Sequence, residues 1–169
     1  MSTRGFLQRL ASLLRPSRRP MSRAGTDETP GRSGATATIG LAPPAALRIA
    51  YSPDPDGEPD AGEVVWTWVP YAERDGRGKD RPVLVIAPQN ADRVYALRLT
   101  SAPHDGEANF VPIGAGEWDS KGRPSWVDIG QLYSVHTAGM RREAAAVDRS
   151  TFARVAAALK RRYGWRVAG

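Results

Sequence analysis

The 169-residue sequence predicts an α+β fold, a strongly curved antiparallel sheet or small barrel with a helix near its C-terminus. Two observations carry this expectation. Short apolar or alternating segments follow one another from Gly62 to Val135 with turn-forming residues between them. After Thr151 the apolar period lengthens to that of a helix.

The first strand spans 64–69, where valines and two tryptophans suit a pleated, half-buried surface. The second, 82–87, is a continuous apolar run of the kind buried on both faces, with Pro82 expected at its first residue, where a missing N–H is tolerated. The third, 93–101, alternates: Val94, Ala96 and Arg98 oppose Tyr95, Leu97 and Leu99. Two further strands are expected at 109–113 and 125–129, separated by a turn-rich stretch, and a sixth at 131–135. Over 151–163, Phe152, Val155, Ala156, Leu159 and Tyr163 form one helical face. Asp148 or Ser150 can cap its start, Lys160, Arg161 and Arg162 suit its negative end, and Gly164 can end it. Trp165 is expected to fold back onto the core.

Residues 1–50 read as a disordered basic tail, because 16–48 hold few large apolar side chains to offset ordering entropy. Phe6, Leu10, Leu13 and Leu14 lie on one face of a short amphipathic segment, 5–14, which either orders on a partner or membrane surface or stays extended. Residues 51–60 read as an acidic linker and 61–165 as the domain. The net charge of +6 belongs to the tail: eight arginines stand against Asp27 and Glu28 there, whereas acids and bases balance over 51–169. The tail can add a salt-sensitive attraction to nucleic acid or anionic lipid. With no cysteine the chain has no disulfide framework, thiolate metal site or cysteine nucleophile, and a cytoplasmic location is expected. No membrane span is expected, because no apolar run approaches the roughly 20 residues needed. Neither clustered metal-ligand spacing nor a glycine loop for a nucleoside triphosphate is present, so no cofactor is expected.

Three segments carry a resemblance: Gly62-Glu-Val-Val-Trp66, then Arg81-Pro82 fifteen residues on at the head of an apolar run, then a strand ending in Thr100-Ser101. In order and spacing they resemble the PemK/MazF toxins of type II toxin-antitoxin systems, over about residues 61–165. The resemblance implies a compact SH3-like barrel, metal-independent cleavage of single-stranded RNA, a homodimer, a cognate antitoxin that fills the RNA groove, and operator DNA bound jointly with that antitoxin.

The resemblance maps a principal catalytic arginine onto Arg81, whose planar guanidinium can grip two oxygens of a scissile phosphate. By itself, Arg-Pro reads rather as the end of a loop, with Arg81 in an ion pair with Asp80 or Glu73, and it is the Gly-Glu-Val-Val-Trp strand at the matching distance that favours the catalytic role. Thr100 maps onto the threonine ending the family's third strand; its hydroxyl, with Ser101, can position phosphate or nucleophile, or serve as turn chemistry. His104, four residues on, is the candidate base, with Asp105 as a group to orient its ring, while His136 reads as a loop residue. The chain departs from the family at two places. A glutamate usual in the long first loop is absent; here Arg74, Arg77 and Lys79 can instead track a phosphate backbone. Gly130-Gln131 stands where many members have an acidic residue before the glutamine, which leaves Asp128 as the nearest acid-base substitute and Gln131 as a substrate contact. Two other functions remain open at this stage: a nucleic-acid or protein binding module that has lost catalysis, and an interaction protein whose functional part is the basic tail.

Overall fold

The computed structural model describes residues 30–169, without the side chains of 142–144. Its strands are β1 (Ile39–Leu41), β2 (Arg48–Ile49), β3 (Glu63–Pro70), β4 (Gly78–Pro88), β5 (Arg93–Thr100), β6 (Phe110–Gly114), β7 (Ser125–Asp128), β8 (Leu132–His136), β9 (Met140–Ala146) and β10 (Arg166–Val167). The one α-helix among the described residues, α1 (Arg149–Tyr163), lies between the last two strands. The expected class is the observed one, a curled antiparallel sheet with a C-terminal helix.

The main sheet runs in the order β1-β8-β5-β4-β3-β9. Register shifts between Val64 and Val65 and between Val85 and Ala87 add local twist, and help curl the sheet. Alternation sends side chains to two cores. On one face Val64, Leu84, Ile86, Leu97 and Leu99 pack with Phe152, Val155 and Leu159 of α1 and with Trp165. On the other, Val65, Val69, Val83, Val85, Val94, Ala96, Tyr133 and Val135 form a second cluster.

The feature that positions the site is a split beside β4. Residues Val83 to Pro88 of β4 pair with β5 in a ladder whose last rung is Val83 opposite Arg98. Leu99 and Thr100 then leave β4 and pair with β7. From Gly78 to Pro82, β4 keeps only β3 as a neighbour. Pro82 is therefore not the first residue of its strand, which begins at Gly78, and its lack of an N–H is tolerated because one side of β4 is unpaired there.

Residues 1–29 of the expected tail, including the 5–14 segment, lie outside the described residues. The remainder does not continue as a tail. Ile39, Gly40 and Leu41 pair with Ser134, Tyr133 and Leu132, Ile49 is fully buried, and β2 pairs in parallel with β10. The Arg93 guanidinium donates to the carbonyls of Ala35 and Ala37, while Trp165 Nε1 donates to Pro44 O at 2.9 Å. Few apolar groups are needed, because existing edges of the domain supply the partners. Nor is the acidic linker free: the Tyr51 hydroxyl donates to Val147 O, and its ring packs on Phe152. Gly62 has φ +108°, and a Cβ there would meet the Tyr51 ring at 2.6 Å, so this position requires glycine.

Helix α1 is capped as its sequence directs. The Asp148 carboxylate accepts from Thr151 N at 2.7 Å, and Gly164, in the left-handed region, donates its N–H to Lys160 O. Trp165 folds back until 1% of it remains exposed. No helix among the described residues is long and apolar enough to cross a membrane.

Candidate active site

Thr67 stands opposite Arg81 and Val83 opposite Arg98, which brings two guanidinium-bearing side chains to the mouth of the split on the face of the second core. Burial lowers the pKa of Arg81 first and the charge of Arg98 lowers it further, yet an arginine so placed keeps its proton. The carboxylates that competed for Arg81 on sequence grounds do not take it. Asp80 pairs with Arg141 at 2.8 Å, and among the described residues no carboxylate forms an ion pair with Arg81.

Two clefts meet at these arginines. The first, about 820 Å³, is bounded by Thr38–Gly40, Tyr71–Arg74, Arg77, Asp128, Gln131 and Tyr133. The second, about 480 Å³, is bounded by Trp66, Lys79, Pro82, Thr100, Ser101, His104 and Trp118. Among the described residues, only Arg81 and Arg98 line both. Apart from Asp105, every candidate named from the sequence lines one cleft or the other: Arg74, Arg77, Asp128 and Gln131 the first, Lys79, Thr100, Ser101 and His104 the second, with Arg81 between.

Their local partners refine what each can do. Thr100 Oγ1 accepts from Ala102 N at 3.2 Å, so the hydroxyl closes a turn as well as lining the cleft, and its proton stays free to be donated. His104 is oriented by Glu107 rather than by Asp105: Nδ1 lies 3.0 Å from Glu107 Oε1. Its ring stacks on Phe110 with centroids 3.7 Å apart. With Nδ1–H donating to the carboxylate, Nε2 presents a lone pair. His136 caps a turn by accepting from Ala138 N.

Asp128 is 7% exposed and already engaged. Its Oδ2 accepts from Arg98 at 2.8 Å and its Oδ1 from Gly130 N at 2.9 Å, an arrangement that fixes a charge rather than moving a proton. Gln131 donates to the carbonyls of Leu41 and Leu132, which leaves its side-chain oxygen for other contacts. In the loop 71–77, Tyr71 N donates to Arg77 O, and Arg77 pairs with Asp75 at 2.7 Å. Gly78 ends the loop against Trp68, where a Cβ would come within 2.5 Å of the indole.

Arg98 and Tyr133 are the side chains that sequence reasoning did not single out. The signal for Arg98 was present as a charge in phase with Val94 and Ala96 on a strand face otherwise bound for the core. Tyr133 had no comparable signal, because its place beside the arginines follows from the pairing of β8 with β5.

The sequence matches the family described as PemK-like, MazF-like toxin of type II toxin-antitoxin system over residues 60–162, more than half of the chain. No curated protein matches it. Among solved structures, Mycobacterium tuberculosis toxin MazF-mt6 is 17% identical, with 61% of this chain and 97% of that one covered at a TM-score of 0.47. The structure titled MazE-MazF (Form-II) from Deinococcus radiodurans is 20% identical, covering 63% and 96% at a TM-score of 0.48. One titled endoribonuclease from Mycobacterial species is 15% identical, covering 64% and 94% at a TM-score of 0.46.

Proposed function

The chain belongs to the PemK-like, MazF-like toxins of type II toxin-antitoxin systems, and from that premise we propose that it inhibits growth by cleaving single-stranded RNA at the Arg81–Arg98 pair. The observation that carries this reading is a half-buried guanidinium that forms no ion pair with a carboxylate among the described residues, held beside a second guanidinium where two clefts meet. Like charges brought together in a partly dry site call for an anion, and a phosphodiester supplies one.

The reaction is attack of a ribose 2′-oxygen on phosphorus, giving a 2′,3′-cyclic phosphate and a 5′-hydroxyl. Arg81 holds the non-bridging oxygens as charge builds on them, and Arg98, steadied by Asp128, adds a second positive charge. Thr100 donates a positioning hydrogen bond. His104 takes the 2′-hydroxyl proton on Nε2 while Glu107 keeps its ring in place. Arg74, Arg77, Lys79, Ser101 and Gln131 line the approaches for the flanking nucleotides. No metal ion or cofactor enters this scheme. The cognate antitoxin occupies the same clefts, the active form is a homodimer, and toxin and antitoxin together contact operator DNA.

The test is the end chemistry of single-stranded RNA incubated with the protein. New 5′-hydroxyl ends are expected, and Arg81→Ala should slow their appearance by roughly 100- to 1000-fold. Intact RNA, or cleavage by Arg81→Ala at the wild-type rate, would refute the proposal.

A second reading has its own observation. Asp128 is committed to Arg98, and Gln131 spends its amide on backbone carbonyls, so neither of these two residues supplies the free carboxylate usual in the family at that place. A binding module that has lost catalysis would hold RNA or DNA without producing new ends, and would retain binding in Arg81→Ala.

A further inference from the structure

Cleavage by 2′-oxygen attack needs a proton donor for the departing 5′-oxygen as well as a base, and the two must stand on opposite sides of the phosphorus. His104 and Arg81 leave that donor unassigned. Asp128 is excluded by its two occupied oxygens.

Resting on the ribonuclease reading above, we infer that Tyr133 is the general acid, its hydroxyl protonating the leaving 5′-oxygen from the first cleft while His104 works from the second. The placement follows from the split in the sheet. Tyr133, on β8, stands opposite Ala96 and belongs to the same face as Val83 and Val85, the face that carries Arg81 and Arg98. It lines the first cleft, His104 lines the second, and the arginines where a phosphate would sit are the side chains common to both.

Its hydroxyl is available. Among the described residues it makes no hydrogen bond, and the enclosed side-chain donors lacking a partner there are the indole nitrogens of Trp66 and Trp126. The hydroxyl is thus not enclosed, and the residue that carries it lines the first cleft. The body of the side chain is held in the second core, with 6% of the residue exposed.

The surrounding charges suit a donor. Burial raises the phenol's pKa above its ordinary value, so the proton is retained at neutral pH, while Arg98 and Arg81 act in the opposite sense against Asp128. Those arginines would stabilise the phenolate at the moment it forms. In the step itself the P–O5′ bond breaks and its electron pair goes to O5′, which takes the phenol proton. The P–O2′ bond forms as the 2′-proton passes to His104, and water then restores the proton to Tyr133 while His104 loses one to solvent.

The experiment compares single-stranded RNA carrying the natural 5′-oxygen at the cleaved linkage with the same RNA carrying a bridging 5′-sulfur there. A thiolate leaves without protonation, so only the oxygen substrate needs the acid. Tyr133→Phe is expected to slow cleavage of the oxygen substrate by about 100-fold or more and to leave the sulfur substrate within a few-fold of wild type. Equal loss on both substrates, or loss on neither, overturns the inference. A reading independent of whether the variant folds comes from the unaltered protein: sulfur should accelerate it little, and a large acceleration would show that no acid acts on the oxygen substrate. If the unaltered protein cuts neither RNA, the ribonuclease reading fails. If it cuts both and Tyr133→Phe behaves like wild type, only the role of Tyr133 fails.

Discussion

Arg98 and Asp128 are a pair whose worth lies mainly in what would follow from breaking it. The Asp128 side chain is 9% exposed and that of Arg98 28%, so removing the carboxylate leaves the Arg98 guanidinium beside Arg81 without its ion-pair partner. Asp128→Ala should destabilise the fold by about 2 kcal/mol in urea titration, and Arg98→Met combined with Asp128→Leu by clearly less. Additive single and double effects would show that the pair is not coupled. At this scale Arg81 was legible only through the resemblance, since Arg-Pro by itself reads as the end of a loop and the unpaired side of β4 beside it depends on pairings far away in sequence. The partner of His104 was not, because Asp105 and Glu107 are both near in sequence and only the turn decides which of them faces the ring.

At the scale of elements, the central strands were legible because alternation and apolar runs report burial directly. The short strands were not. Ile39–Leu41, Arg48–Ile49 and Arg166–Val167 are two or three residues long, and their partners lie far away in sequence. Strand β9, with sequence MRREAAA, has little β propensity and is a strand because β3 offers it an open edge. The split between β4 and β5 was hidden for the same reason, since it depends on Leu99 and Thr100 choosing β7 over β4. Helix α1 was legible down to its cap, which makes its pH response predictable. Hydrogen bonds from Ser150 and from Thr151 N hold the Asp148 carboxyl below its ordinary pKa. A group depressed on folding adds stability that is full above its unfolded pKa of about 4 and fades as pH falls through the lower, folded value. Asp148→Ala should lower the melting temperature by a few degrees at pH 7, with the difference shrinking below about pH 4. A gap of constant size across that range would contradict this origin. Asp148→Asn, which keeps a cap, should recover most of the loss at neutral pH.

For the whole molecule, the balance of charge over 51–169 means that the positive site at the split comes from arrangement rather than from excess. The strand β1 matters at this scale too. It lies outside the region matched to the family, yet Thr38, Ile39 and Gly40 wall the first cleft. On its far side from β8 it ends the sheet after three residues. A long flat border of unpaired N–H and C=O groups is a template onto which other chains can add, and a short terminal strand is one way of blunting it. Without β1, the terminal strand on that side becomes Leu132–His136, four of whose residues are buried in the intact protein. A chain beginning at Tyr51 would expose this sticky border and also lose Ile49 from the core and the Pro44 carbonyl from Trp165. Relative to a chain beginning at residue 30, it should be less stable by about 3 kcal/mol or more and should self-associate with rising concentration in light scattering. Equal melting temperatures and monodisperse scattering from both would show that β1 protects nothing. On the expected result, the strand that completes the cleft also keeps copies of the toxin from polymerising through their sheets.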